Sequence, residues 1–317
     1  MRKAVFFLVG PTGSGKTQLS LSLAKRLGAE IISADSMLVY RGMDIGTAKP
    51  SPSDRKKIPH HLIDLISPRG HFSVYEHRAR ALRATEDIHK REKVPLIVGG
   101  SGLYVNAIWK GLSPQPGADP KLRKQLSKLA EEKGWGFLYE QLRRVDPERA
   151  QGIHPNDRRR IGRALEIAKL SGRKPSESYK ERTALEDLGY SVRVFGILRS
   201  RRVLYDRINR RVESMFRRGL LQEVKRLRRR GFSTTAREAL GYREVLEDLK
   251  KGENKVTAEL VEKIQSRTRQ FAKRQLTWFH RVKEIQWIPW ASEEPVAAVC
   301  DKITKEITLW QRNKPTS

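Results

Sequence analysis

Apolar residues along this chain fall into two alternating patterns. Short unbroken or nearly unbroken runs at Val5–Val9, Ala29–Ala34, Val94–Val98 and Val192–Leu198 read as buried β-strands. Between them lie longer stretches in which apolar residues recur three and four apart. After the first run, Leu19, Leu23 and Leu27 repeat at helical spacing and Gly28 ends the pattern, which predicts a helix. Ile161, Ala164, Leu165 and Ala168 form a second stripe, on a helix starting near His154–Asp157. Leu204, Ile208, Val212 and Met215 form a third, within Val203–Arg230 with a break at Gly219. Ile264, Thr268, Phe271, Gln275 and Phe279 form a fourth, within Ala258–Arg281. Strands alternating with helices predict an α/β fold with a parallel-sheet core flanked by helices. Ligands in such sheets gather at the carboxyl ends of the strands, so the loops Gly10–Thr17, Asp35–Leu38 and Gly99–Gly102 carry most weight.

Before the last strong strand, Gly111–Pro120 has the turn-rich composition of a linker, and a long helical stretch follows it. The organisation expected is therefore a first part of the core over 1–118, an inserted all-helical domain over 119–188, and completion of the core with C-terminal helices over 189–317. No internal repeat or low-complexity tract interrupts this, and only Asn313–Ser317 reads as disordered.

The first loop spells a phosphate-binding motif: Gly10, Pro11, Thr12, Gly13, Ser14, Gly15, Lys16 and Thr17, between a strand and a helix. Its glycines let backbone N–H groups turn toward an anion, Lys16 can reach phosphate oxygens, and the Thr17 hydroxyl suits Mg2+. This P-loop binds a polyphosphate, but the loop alone does not say whether that belongs to a nucleotide.

Charge narrows the partner. Among 317 residues, 65 Lys and Arg against 36 Asp and Glu leave a net charge of +29, spread through the chain. Distributed positive charge of this size points to a polyanion, with nucleic acid the natural candidate. The single cysteine, Cys300, excludes an internal disulfide and a cysteine-based zinc site. No signal-peptide pattern and no apolar run near 18 residues is present, so a cytoplasmic protein without a membrane span is expected.

Asp35, at the end of the second strand, can accept a proton from a nucleophile or hold a metal-bound water, and it can also serve as a helix cap. The first role is favoured because the strongest apolar strand, ending at Val98, runs into Gly99–Gly100 and not into the acid of a Walker-B strand. Arg158, Arg159, Arg160 and Arg163 lie off the apolar stripe of their helix, and Arg159 and Arg163 share a face on which they could engage one phosphodiester. Arg207 and Arg211 are likewise four apart. Phe271, Trp278 and Phe279 read as core, and His60 and His61 lack partners for a zinc site.

Ordered blocks over nearly the whole chain resemble the bacterial-type tRNA dimethylallyltransferases, also called tRNA isopentenyltransferases. Besides the phosphate loop, they are Asp35–Pro50, Pro59–Asp64, Gly99–Tyr104, Asn156–Glu166, Leu240–Glu244 and Thr268–Phe279. That family transfers a dimethylallyl group from dimethylallyl diphosphate to N6 of the adenosine on the 3′ side of the anticodon in tRNA. The resemblance implies that Gly10–Thr17 hold the diphosphate of the donor, with Mg2+ at Thr17, and that Asp35 is the general base. It also implies that Lys16 and Arg211 stabilise the departing diphosphate. Asp35, Ser36, Met37, Leu38, Ser101, Arg123, Arg159, Arg160, Ile161, Gly162 and Arg163 look like tRNA contacts. The target adenine would flip out of the anticodon loop into a channel. The family usually has Gln at the place of Leu38 and Thr at that of Ser101, and the zinc finger of eukaryotic relatives is missing, which favours a bacterial protein; a monomer is expected.

Three other readings make different predictions. A P-loop kinase for a nucleoside or small metabolite would turn over ATP. An adenylate prenyltransferase would need no extended basic surface. An RNA-binding regulator with a decayed loop would not keep Lys16, Thr17 and Asp35 together.

Overall fold

The computed structural model describes residues 3–178 and 181–312, so the tail Asn313–Ser317 lies outside the described residues. Six parallel strands, β1 (Lys3–Val9), β2 (Ala29–Ser33), β3 (His60–His61), β4 (Val94–Gly99), β5 (Tyr190–Leu198) and β6 (Gln286–Pro289), form one sheet in the order β3-β2-β4-β1-β5-β6.

The unbroken apolar runs follow from burial on both faces. In β1, Val5, Phe7 and Val9 pack into one cluster with Ile88, Ile108 and Trp109, while Phe6 and Leu8 pack into another with Leu19, Leu23, Val299 and Ile303. Alternate residues therefore serve opposite layers, as the strand repeat of two requires. Helix Val74–Lys90 covers the first face, and helices Lys16–Leu27 and Val296–Arg312 cover the second. Gly28, at φ 60°, stops helix Lys16–Leu27 by donating its N–H to the Ala24 carbonyl.

A third apolar cluster joins Tyr40 and Met43 to helices Arg201–Arg217, Leu220–Arg230, Tyr242–Lys250 and Ala258–Phe279. The break expected at Gly219 is real, with φ 96° between the first two of these helices.

The chain divides into two compact units, one of residues 1–109 with 185–317 and one of residues 110–184. The second unit thus begins at Lys110 and ends at Ala184, where the sequence pattern had placed 119–188. The linker-like stretch Gly111–Pro120 belongs to that unit: the Asp119 N–H donates to Glu166, and the Pro116 carbonyl accepts from Arg163. Its helices Pro120–Val145, Pro147–Gln151 and Arg158–Ser171 pack around Leu126, Leu138, Leu142, Ile153 and Ile161, and the short helix Pro175–Ser178 follows. Gly134, at φ 83°, puts a kink in the longest.

Candidate active site

The phosphate loop is built by what surrounds it. A Cβ on Gly13 would stand 2.8 Å from Ile208 Cγ1, and one on Gly15 would stand 2.9 Å from the Trp290 ring, so only glycine fits at these positive-φ turns. No side chain caps helix Lys16–Leu27 at Gly15, which leaves its first N–H groups for an anion. From outside, Arg199 Nε donates to the Ser14 carbonyl (2.8 Å) and Arg207 Nε to the Gly13 carbonyl (2.9 Å). The Arg199 guanidinium lies 3.8 Å over the Trp290 ring. Burial, then the Arg207 charge, lowers its pKa to about 10 against the opposing pull of Glu294.

Lys16 Nζ donates to the Pro11 carbonyl at 2.7 Å and to Ser14 Oγ at 3.4 Å. Burial and the Arg211 charge lower its pKa to about 7, although the carboxylate of Asp35 acts in the opposite sense. Burial also lowers Arg211, again opposed by Asp35 and reinforced by Arg207 and Arg218. The free site is therefore a crowd of cations short of negative charge.

Asp35 follows β2, which pairs with β4 and not with β1. The intervening β4 ends in Gly99, where a Cβ would overlap the Ala34 carbonyl, so no side chain separates the acid from the loop. Asp35 Oδ1 accepts the Met37 N–H at 2.8 Å, and Oδ2 carries no protein hydrogen bond among the described residues. Between acid and loop opens a cavity of about 380 Å³, lined on its polar side by Lys16, Thr17, Asp35, Ser101 and Arg211 and on its apolar side by Leu38, Leu240 and Phe271. A second cavity of about 400 Å³ shares Lys16, Thr17 and Arg211 and adds Gly13, Gly15, Arg207 and Arg210, with no acid. The three shared residues stand where the two meet.

Two further groups fix the loops around this cavity. The side chain of Gln275 takes the Thr12 N–H on Oε1 (2.8 Å) and donates from Nε2 to the Gly100 carbonyl (2.7 Å), bracing phosphate loop against β4 loop. Buried Glu223 accepts the backbone N–H groups of Asp44 (3.0 Å), Ile45 (2.9 Å) and Gly46 (3.2 Å) and the Tyr242 hydroxyl. Lys49, also buried, reaches the Tyr40 carbonyl, Asp44 and Asp64 within 2.9 Å. These bonds hold the segment that carries Asp35–Leu38.

Of the residues singled out in the sequence, Gly10–Thr17, Asp35, Ser36, Met37, Leu38, Ser101 and Arg211 come together here. Phe271 lines the cavity and is not core, whereas Phe279 is fully buried. His60 forms half of edge strand β3 and also lines the cavity, while His61 Nε2 meets Glu30 Oε2 at 2.7 Å.

Arg123, Arg159, Arg160, Ile161, Gly162 and Arg163 lie in the helical unit, where Ile161 and the pairing of Arg159 with Arg163 differ from the expectation. Ile161 is 0% exposed and is part of that unit's core. Arg159 and Arg163 are not a matched pair: Arg163 donates to Glu166 (2.6 Å) and the Pro116 carbonyl (2.7 Å), and Arg123 forks onto the same carboxylate at 2.8 and 2.9 Å. Burial raises the pKa of Glu166, but the two arginines outweigh it and leave the group below the ordinary value. Arg160 faces Asp157 at 3.3 Å, and Arg159 is exposed without a partner among the described residues.

A parallel sheet, a P-loop propped by arginines and a carboxylate across a half-apolar cavity define a P-loop transferase with no acid on the strand beside its loop. The model of the family described as IPP transferase matches residues 38–282. A tRNA dimethylallyltransferase of Carboxydothermus hydrogenoformans is 43% identical over 96% of this chain and 98% of its own. The tRNA dimethylallyltransferase 2 of Geotalea uraniireducens is 42% identical over 94% and 96%. A crystal structure of the full-length tRNA isopentenylpyrophosphate transferase of Bacillus halodurans covers 98% of this chain and 99% of its own, at TM-score 0.70 and 38% identity. A eukaryotic dimethylallyltransferase, solved in snapshots acting on tRNA, superposes at TM-score 0.80 with 30% identity over 99% of this chain and 80% of its own. The chain belongs to the tRNA dimethylallyltransferase family, and the kinase alternative is not favoured.

Proposed function

We propose that this enzyme moves a dimethylallyl group from dimethylallyl diphosphate to N6 of the adenosine 3′-adjacent to the anticodon in tRNA. The observation that carries the proposal is the cavity that Asp35 and the phosphate loop share, whose apolar wall suits a prenyl chain and a base. The N6 lone pair attacks the allylic C1 as its bond to the diphosphate oxygen breaks. The electron pair of that bond leaves with the diphosphate, and Asp35 Oδ2 takes the N6 proton. An exocyclic amine conjugated with its ring is a weak nucleophile, so removing this proton as the bond forms lowers the barrier. Lys16, Arg211 and the first N–H groups of helix Lys16–Leu27 bind the leaving diphosphate and offset its growing charge.

Mg2+ fits the donor set, because the exposed Thr17 hydroxyl offers a hard oxygen beside the diphosphate and makes no hydrogen bond among the described residues. When bound, the ion supplies Lewis-acid stabilisation of the leaving group. The helical unit, with exposed Arg158 and Arg159, would grip the anticodon stem-loop, and the enzyme would act as a cytoplasmic monomer. Among the described residues no helix is long and apolar enough to cross a membrane.

The test is incubation with dimethylallyl diphosphate, Mg2+ and unmodified anticodon stem-loops, followed by nucleoside mass analysis. Gain of one dimethylallyl group on the adenosine beside the anticodon is expected. ATP turnover without prenyl transfer would overturn the proposal.

A further inference from the structure

The active-site cavity accounts for a base and a prenyl donor but not for the backbone of the strand that carries the base. A separate concavity of about 620 Å³ opens at the end of helix Leu220–Arg230, lined by Arg69, His71 and residues 228–234. Arg69, Arg228, Arg229 and Arg230 are exposed around it, and no carboxylate lines it or pairs with any of the four among the described residues. Some exposed arginines elsewhere do find acids, as Arg80 finds Glu76, Arg91 finds Glu30 and Arg143 finds Glu140.

Basic residues in a last helical turn often do no more than offset the negative end of the helix dipole. Here that end is already capped, since the Gly231 N–H bonds the Leu227 and Arg228 carbonyls, and Arg228 Nη1 turns instead to the Leu249 carbonyl of helix Tyr242–Lys250. Arg69 arrives from a different segment, which dipole compensation does not require. The Ser233 N–H bonds the Pro68 carbonyl at 2.7 Å and pins that segment to the helix end. A Cβ on Gly231 would sit in ordinary contact with Arg69, 3.6 Å from its Cγ, so the Arg69 stem runs alongside the helix end, and Arg69 lines the same concavity as Arg229 and Arg230. Like charges gathered from two segments repel unless an anion lies among them. Ser233 then caps the short helix Thr234–Arg237, and Glu238–Gly241 immediately after it line the active-site cavity. One helical turn, about 6 Å, separates the two sites along the chain.

We infer that this pocket holds phosphodiester groups of the same RNA strand that delivers the target base to the active-site cavity. The inference rests on RNA being the acceptor. Its test is tRNA binding and turnover by a combined Arg69→Gln, Arg229→Gln, Arg230→Gln variant, sparing Arg228 because it bonds Leu249. Binding should weaken by roughly tenfold or more at physiological salt, and the slope of log Kd against log salt should fall by about two to three. The loss should appear in KM for tRNA and not in KM for dimethylallyl diphosphate, and the triple Lys variant should restore most of the slope. An unchanged tRNA affinity and salt slope would overturn the inference. So would weakened binding of inorganic diphosphate with RNA binding intact, since the pocket would then serve a small anion. If the unmodified enzyme transfers no prenyl group to any tRNA, the proposed function fails instead, and the two failures are distinguishable.

Discussion

With its pKa lowered to about 7, Lys16 makes diphosphate binding a proton-coupled event. An ordinary lysine titrates near 10.5, so at pH 8 this one is about nine-tenths neutral in the free site. A bound diphosphate adds the negative charge that the cluster of Lys16, Arg207 and Arg211 lacks, and it returns the lysine to its charged form. Binding at pH 8 should therefore take up about 0.9 proton. Below pH 7 Lys16 is already charged and affinity is flat. Above it, Kd for dimethylallyl diphosphate should rise about tenfold per pH unit, or about 1.4 kcal/mol. The ligand does not confuse this window, because a terminal phosphate loses its second proton near pH 6. Calorimetry in two buffers of different ionisation heat reads the proton directly. Lys16→Arg should keep the charge at every pH and abolish both the uptake and the slope. No uptake at pH 8 together with a flat Kd between pH 7 and 9 would refute the reasoning. The same shift acts on stability with a fixed sign. The unfolded chain holds more protons between pH 7 and 10.5, so the free protein should gain stability as pH rises through that window.

Four other outcomes follow from the geometry. Asp35→Asn should reduce single-turnover transfer by about 10²- to 10⁴-fold while leaving the Kd for tRNA within a factor of three; normal turnover with weak tRNA binding would contradict the role of the base. Glu223→Ala strands three half-buried backbone N–H groups and the buried Tyr242 hydroxyl, so it should cost about 2–4 kcal/mol and expose Asp35–Lys49 to proteolysis. Arg163→Ala should lower the melting temperature by loosening the buried Glu166 carboxylate, whereas exposed Arg159→Ala should leave it unchanged and flatten the salt dependence of tRNA binding. Gly15→Ala forces a Cβ to 2.9 Å from Trp290 at positive φ and should weaken diphosphate binding more than tRNA binding, as titration of each ligand would report.

How much was legible in the sequence depended on whether the signal was local. The phosphate loop, the four strong strands and Gly219 each carry their own pattern, and each was read correctly. Strand order carries no such local pattern, because β4 slips between β1 and β2 through contacts far apart in the chain. Strands β3 and β6 are edge strands of two and four residues, too short for a periodicity to emerge. Arg199 was missed although it directly follows β5, a place where ligands gather. Gln275 and Glu223 left a subtler trace: polar residues on helix faces otherwise buried, Glu223 among Leu220, Val224 and Leu227. Such residues are spaced like core and act through hydrogen bonds, so spacing alone assigns them to the wrong class. Arg163 failed in the opposite direction: Glu166 stands three residues on, within helical reach, but its complete burial and its second partner Arg123 appear only in the fold.

Gly99 has a consequence for what this scaffold can become. The Ala34 carbonyl occupies the space where any side chain at position 99 would begin, and the residue after Ala34 is the acid itself. Placing an aspartate beside the phosphate loop would thus push aside the end of β2 and misdirect Asp35. The two chemistries compete for one volume, and no substitution at position 99 lets the chain hold both.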